Sequence, residues 1–124
     1  MRIYDSNLLI YSFQPAHNFL QADLLRPDAY VSNITKLEVL GYALISPAEK
    51  AYFERLFSLI NILQIDDIVI DEAIKLRQMR KMSMGDSIIA ATAEINNFDI
   101  YTHNVNDFKW ILGLNVIDPI PKTE

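Results

Sequence analysis

The chain has 124 residues, of which 51% are hydrophobic and 22% charged; this balance is typical of a globular protein with a substantial core and excludes a disordered one. It has no cysteine and only two histidines, His17 and His103, which excludes disulfides, thiolate zinc sites, a cysteine nucleophile and a histidine-rich metal site. The net charge of −5 argues against a broad basic surface that coats nucleic acid, but it is compatible with acidic side chains that bind cations.

The first half of the chain alternates short apolar segments with helical ones. In chain order, the predicted elements are a strand at residues 2–4, helices at 6–11 and 15–25, a strand at 29–32, and helices at 33–44 and 47–59. The last of these helices has the clearest start, because Ser46, Pro47 and Glu49 have the spacing of a capping box with proline at the first helical position.

The second half continues this alternation. Its predicted elements are a strand at residues 62–65, a helix at 67–81, a helix from Asp86 to residues 96–97, a strand at 100–102, a short helix at 106–111 and a strand at 115–117. Short apolar strands alternating with helices predict an α/β fold with a mostly parallel central sheet. No linker, repeat or low-complexity segment divides the chain, so residues 1–124 are expected to form one domain.

Polar residues directly follow two of the predicted strands. Asp5 comes after the first strand, and Asn104 and Asp107 come after the strand at 100–102. In parallel α/β sheets, ligands bind beyond the carboxyl ends of the strands. If these two strands are neighbours, two carboxylates meet at one edge of the sheet.

Two further acids lie in helical segments that are otherwise almost uncharged. Between residues 31 and 45, Glu38 is accompanied by only one other charged side chain, that of Lys36. Asp86 precedes an uncharged run of small and apolar side chains at 87–93, which predicts a helix that packs closely against other backbone.

Each of the four acids has an ordinary structural interpretation when it is taken alone. Glu38 can face solvent, as most charged side chains do. The other three acids can each cap the helix that they precede. Their polar surroundings favour a functional site instead, because the hydroxyls of Ser6 and Thr102 and the amide of Asn104 are groups that can orient metal-bound carboxylates.

Taken together, these motifs resemble the PIN-domain nucleases, specifically the VapC-type toxins of bacterial and archaeal toxin–antitoxin modules. The resemblance spans nearly the whole chain, in the same order and spacing, and departs from the usual pattern only in having Ser6 where Thr is commoner and Asn96-Asn97 where a Gly often stands. The stretches that carry it are Asp5-Ser6-Asn7, residues 32–38 (SNITKLE), residues 86–93 (DSIIAATA), residues 102–108 (THNVNDF) and residues 116–119 (VIDP).

The resemblance implies a three-layer PIN-like fold and one catalytic, metal-binding pocket formed by Asp5, Glu38, Asp86 and Asp107. Such an all-oxygen set suits Mg²⁺ or Mn²⁺, which can polarise a phosphate and activate a water. The implied activity is that of an endoribonuclease, a hydrolase of RNA phosphodiester bonds that acts as a toxin. A cognate antitoxin protein and a homodimer are implied as partners.

A cluster of basic residues precedes Asp86. Four of the eleven lysines and arginines lie between Lys75 and Lys81. One interpretation is a solvated helix end whose charges complement the helix dipole. The other is a nucleic-acid contact, in which Arg77, Arg80 or Lys81 binds the RNA backbone.

Two rival functions remain open on the sequence. The first is a PIN fold that binds RNA or a protein partner without cleaving. The second, a protein with an aspartyl phosphate, is less favoured because the acid after the first strand is not paired as Asp-Asp or Asp-x-Asp. The predicted location is the cytoplasm without a membrane partner, since Asp5 interrupts any signal peptide and no uncharged run is long enough to span a bilayer.

Overall fold

The computed structural model describes residues 1–122 and has a five-stranded sheet at its centre. Every neighbouring pair of strands is parallel, in the order β3-β2-β1-β4-β5, so the prediction of a mostly parallel α/β sheet is confirmed. The strands are β1 (Arg2–Tyr4), β2 (Ala29–Ser32), β3 (Asn61–Leu63), β4 (Asp99–Tyr101) and β5 (Val116–Ile117).

Six α-helices flank this sheet. They are α1 (Ser6–Ser12), α2 (Leu20–Leu24), α3 (Asn33–Leu40), α4 (Pro47–Leu59), α5 (Asp67–Met79) and α6 (Met84–Asn96), and two 3₁₀ turns lie at Pro15–His17 and Val105–Asp107. Among the residues described, no helix combines the length and apolar character needed to cross a membrane.

Four predicted helices are shorter than expected, among them α5, which ends at Met79 and not at residue 81. The helix predicted at 33–44 ends at Leu40, where Gly41 caps it by donating its N–H to the Leu37 carbonyl. The segment at 15–25 divides into a 3₁₀ turn and the short α2. The helix predicted at 106–111 is only the 3₁₀ turn Val105–Asp107, because Phe108 and Ile111 are anchored in the core instead of continuing a helix.

The sheet separates two hydrophobic cores, which makes the architecture three-layered. Successive strand residues point to opposite faces, so Ile3 packs with the apolar side chains of α5 and α6 while Tyr4 packs with those of α1, α2 and α4. Both Ile3 and Tyr4 are fully buried.

Strand register determines which residues meet at the carboxyl edge of the sheet. β1 and β4 are adjacent, with Tyr4 opposite Tyr101, and the N–H of Asp5 donates to the Tyr101 carbonyl at 2.9 Å. Asp5 and Thr102 therefore emerge side by side, as expected if the two strands were neighbours.

Candidate active site

Asp5 lies at the junction of β1 and α1 and is only 4% exposed. Although it occupies the N-cap position of α1, its side chain makes no capping hydrogen bond. Its Oδ2 instead accepts a 2.8 Å hydrogen bond from the hydroxyl of Thr102, which is fully buried. The fold therefore fixes the Asp5 carboxylate at the sheet edge through a contact with the neighbouring strand.

Glu38 reaches the same region from α3, which packs against both α1 and α6. Its Oε1 accepts a 2.7 Å hydrogen bond from the Ser6 hydroxyl, and Ser6 also pairs at 2.9 Å with the hydroxyl of Thr35, one turn before Glu38. The Glu38 residue is exposed overall, but this chain of hydroxyls directs its carboxylate inward.

Gly85, in the first turn of α6, gives the Glu38 carboxylate room. A Cβ atom at this position would lie 2.5 Å from Oε2 of Glu38, closer than real Cβ contacts occur. The carboxylate thus rests directly against the backbone of α6, next to Asp86.

Asp86 is not the N-cap of α6, which corrects the start predicted for this helix. Ser83 is the cap, and its hydroxyl accepts the N–H of Asp86 at 3.1 Å. The helix begins at Met84, so Asp86 lies in its first turn and its carboxylate is available for another role.

Burial and neighbouring acids raise the pKa of Asp86 to about 6. After burial, the negative charges of Asp5 and Asp107 contribute most, with a smaller effect from Glu38. Burial also raises the pKa of Asp5, against the hydrogen bond from Thr102, and Glu38 and Asp107 add to the rise. Glu38 and Asp107 therefore lie close enough to Asp5 and Asp86 to raise the pKa values of these two; the four carboxylates are hereafter the acidic pocket.

Asp107 completes the acidic pocket from the 3₁₀ turn after β4. Its residue is exposed, while the next residue, Phe108, is fully buried and anchors the turn in the core. Asn104 contributes through its backbone, donating its N–H to the Thr102 hydroxyl at 2.9 Å. Over residues 1–122 its side-chain amide makes no hydrogen bond to the four acids.

The donor set of the acidic pocket fits a hydrated hard cation. Within the described part of the chain, ion pairs are formed only by Arg2, Arg26 and His103, so no basic side chain neutralises the four acids. Nor do any three acidic or histidine side chains of residues 1–122 already converge tightly enough to ligate one ion together. Mg²⁺ binds through one or two carboxylates and keeps several waters, so it does not require such a closed cage.

A pocket of 560 Å³ joins this acidic group to the basic cluster. We call it the mixed-charge pocket, and its lining residues are Arg77, Arg80, Lys81, Met82, Ser83, Asp86 and Asp107. Arg77 is held there by donating its Nε–H to the Met82 carbonyl at 3.2 Å. Arg80 lies outside α5, whose last residue is Met79, and so the helix is shorter than the 67–81 predicted.

Three residues of this region were not identified from the sequence. Thr35 forms a hydrogen bond with Ser6, and Gly85 leaves space for the carboxylate of Glu38. Trp110 lies beneath the guanidinium of Arg80. Gly85 had a signal, since it is the only glycine in a helix that otherwise favours helix formers. Trp110 is the single tryptophan of the chain and follows Asp107 by three residues.

The comparisons with known proteins agree on the fold. A family model described as PIN domain matches residues 3–109. No curated protein matches the chain with significance.

Several solved structures superpose over almost the whole chain. A toxin–antitoxin complex from Klebsiella pneumoniae contains a chain 28% identical, covering 97% of this chain and 98% of its own, with a TM-score of 0.79. VapBC-1 from nontypeable Haemophilus influenzae is 25% identical over 94% and 96%, with a TM-score of 0.74. DNA-bound VapBC from Salmonella typhimurium, at 23% identity over 94% and 96%, has a TM-score of 0.79 and supports the fold alone.

Proposed function

Because the chain belongs to the PIN domain family, we propose that it is a metal-dependent endoribonuclease and the toxin of a toxin–antitoxin module, with residues 1–124 as one domain. The observation that carries this proposal is the set of four carboxylates, Asp5, Glu38, Asp86 and Asp107, in which neighbouring acids raise the pKa values of Asp5 and Asp86 and none forms an ion pair with a basic side chain of residues 1–122. A bound cation would neutralise the negative charge of these carboxylates and could in turn bind the phosphate of a substrate.

The cofactor in this proposal is Mg²⁺ or Mn²⁺, whose chemistry is polarisation of the scissile phosphate and activation of a water. Asp5, Asp86 and Asp107 would lie closest to the ion, one or two of them as direct ligands and the rest through bound water. Glu38, oriented by Ser6, would contact it through a water or orient the attacking water. Thr102 keeps Asp5 in position, so the protein contributes placement and charge and no covalent nucleophile.

The partners follow from the same site. RNA is proposed as the substrate, with Arg77, Arg80 and Lys81 beside the acids to receive its backbone. A cognate antitoxin is supported by the Klebsiella pneumoniae and Haemophilus influenzae complexes, which are at least 25% identical in the matching chain. A homodimer is proposed from the family resemblance, and the cytoplasm is the compartment in which such an RNA substrate is found.

The test is cleavage of RNA by the purified chain. We expect cleavage with Mg²⁺ or Mn²⁺ that a chelator abolishes, and Asp5→Asn should remove nearly all of it because the amide keeps the shape but not the ligand charge. The matched control is Asp71→Asn, an exposed residue of α5, which should retain wild-type activity. Wild-type activity in Asp5→Asn, free of contaminating nuclease, would contradict the site assignment.

The open arrangement of the acids supports a second candidate, an RNA- or partner-binding protein that does not cleave. The same assay separates the two, since this candidate predicts RNA binding without new RNA ends even in excess Mn²⁺. The chain retains all four acids, which is why we favour the nuclease.

A further inference from the structure

Arg80 lies over the ring of Trp110 at the mixed-charge pocket. The Cζ atom of Arg80 is 5.5 Å from the centroid of the indole, within the range of a cation–π contact. Arg80 is also one of the residues that line the pocket beside Asp86 and Asp107. The guanidinium therefore lies within cation–π range of an aromatic ring and borders the space next to the acids.

Two contacts hold the indole of Trp110 in place. Its Nε1–H donates to the backbone carbonyl of Asp107 at 3.0 Å, and the ring packs against the core beneath α5 and α6. The position of the ring is thus tied to the residue that carries one of the four acids. Trp110 therefore presents a fixed aromatic ring to the guanidinium of Arg80.

Arg80 remains on the ring although carboxylates are close by. In the chain up to residue 122, no acid lies within ion-pair distance of Arg80, while Asp86 and Asp107 line the same pocket. A guanidinium is planar, delocalised and weakly hydrated, so it can stack on two planes at once. Here the indole lies within cation–π range of the guanidinium, and Arg80 is exposed and lines the pocket, so a ligand in the pocket can reach it.

We propose that an unpaired nucleobase of the bound strand stacks on the guanidinium of Arg80, with Trp110 behind it, so that Arg80 is a base-contacting residue of the pocket. This inference rests on the proposed function, because it adds a base contact to the RNA site proposed above. An unpaired base offers a free face, whereas bases in a duplex are already stacked on one another. Arg77 and Lys81, which have no aromatic partner among the described residues, would contact the phosphates.

The experiment measures binding in chelator, so that no RNA is cut. The two probes are a six-residue adenylate strand and a six-unit abasic strand of the same charge. Wild type should bind the adenylate strand more tightly, by about 5- to 150-fold, which is the range for one stacked base. Arg80→Lys keeps the charge but loses the plane, so this ratio should fall close to one.

Two further variants sharpen the comparison. Trp110→Leu removes the aromatic ring next to Arg80 without changing charge, and it should also lower the ratio of adenylate to abasic binding. Arg55→Lys makes the same substitution at an exposed position of α4 and should leave the ratio at its wild-type value.

Equal binding of the two strands by wild type, or an unchanged ratio in Arg80→Lys, would overturn the stacking proposal. Arg80 would then be a plain phosphate contact or part of a surface for a protein partner. These outcomes are independent of cleavage, since a chain that discriminates between the strands but never cuts RNA contradicts only the proposed nuclease. A chain that cuts RNA without this discrimination contradicts only the stacking.

Discussion

Gly85 is the residue at which a missing side chain matters most to the acidic pocket. The carboxylate of Glu38 occupies the space that a Cβ atom would take, at 2.5 Å from Oε2. That carboxylate is the end of a flexible side chain, so a methyl group at position 85 can push it aside without distorting the backbone. Gly85 thus serves the geometry of the site more than the stability of α6, in which alanine is the better helix former.

Gly85→Ala should therefore separate activity from stability. We expect RNA cleavage to fall about 10- to 100-fold, the usual effect of disturbing an oriented carboxylate, while the melting temperature stays at or slightly above that of wild type. The control is Glu38→Ala, to which adding Gly85→Ala should cause no further loss, because the two changes act through one contact. Full cleavage by Gly85→Ala would show that the position of Glu38 is unimportant.

At the scale of elements, α6 carries Asp86 to the acidic pocket and depends on Ser83 for its start. Ser83 and Asp86 are both good capping residues, three positions apart, and the sequence pattern does not decide between them. Tertiary packing decides, because Gly85 must lie against Glu38 within the first turn of the helix. By contrast, the start of α4 was predictable, since Ser46 and Glu49 bond reciprocally at 3.1 and 3.0 Å.

Removing the cap of α6 should weaken both the helix and the site. Ser83→Ala leaves the N–H of Asp86 without its partner, which should cost about 1 kcal/mol of unfolding free energy in denaturant titrations. Ser83→Asp restores an acceptor oxygen and should recover most of that loss. An equal loss in both variants would mean that Ser83 contributes something other than a cap.

Much of the fold was predictable because the local pattern of apolar and polar residues determines it. The strands and helices alternate as the apolar periodicity indicates, and Asp5 and Asp107 follow strands that the register places side by side. The contacts of Gly85 with Glu38 and of Arg80 with Trp110 join segments far apart in the chain. No local pattern encodes such packing, so these features required the structure.

For the molecule as a whole, carboxyls with raised pKa values make the stability of the folded state depend on pH, and the largest of these shifts are at Asp86 and Glu94. The pKa of Asp86 is raised to about 6 by burial and by Asp5 and Asp107, and that of Glu94 to about 6 by burial and by Glu72. The ordinary values are 3.8 and 4.5, so between these values and about 6 the folded state holds more protons than the unfolded one. Stability without metal must then rise as pH falls through this window, and be lost as pH rises through about 6.

Melting curves in chelator at about pH 7.5 and about pH 5 test this linkage. Wild type should melt higher at the lower pH, and Asp86→Asn and Glu94→Gln should each reduce the difference. Asp86→Asn should also melt above wild type near neutral pH, because it relieves repulsion while Ser83 still caps α6. Excess Mg²⁺ should stabilise wild type more than Asp86→Asn by mass action. If the melting temperatures of Asp86→Asn differed between the two pH values as much as those of wild type, the pKa of the Asp86 carboxyl would not be raised in the folded state.

Asp5, Glu38, Asp86 and Asp107 are proposed to form one divalent-cation site. Anomalous diffraction from crystals of the cleaving enzyme soaked in Mn²⁺ tests it most directly. We predict a manganese peak between the carboxylates of Asp5, Asp86 and Asp107, with Glu38 in contact directly or through one water. A crystal in which this space holds no manganese at concentrations that support cleavage, or in which the ion binds only elsewhere, such as at Glu72 and Glu94, would show that the four carboxylates are not the metal site.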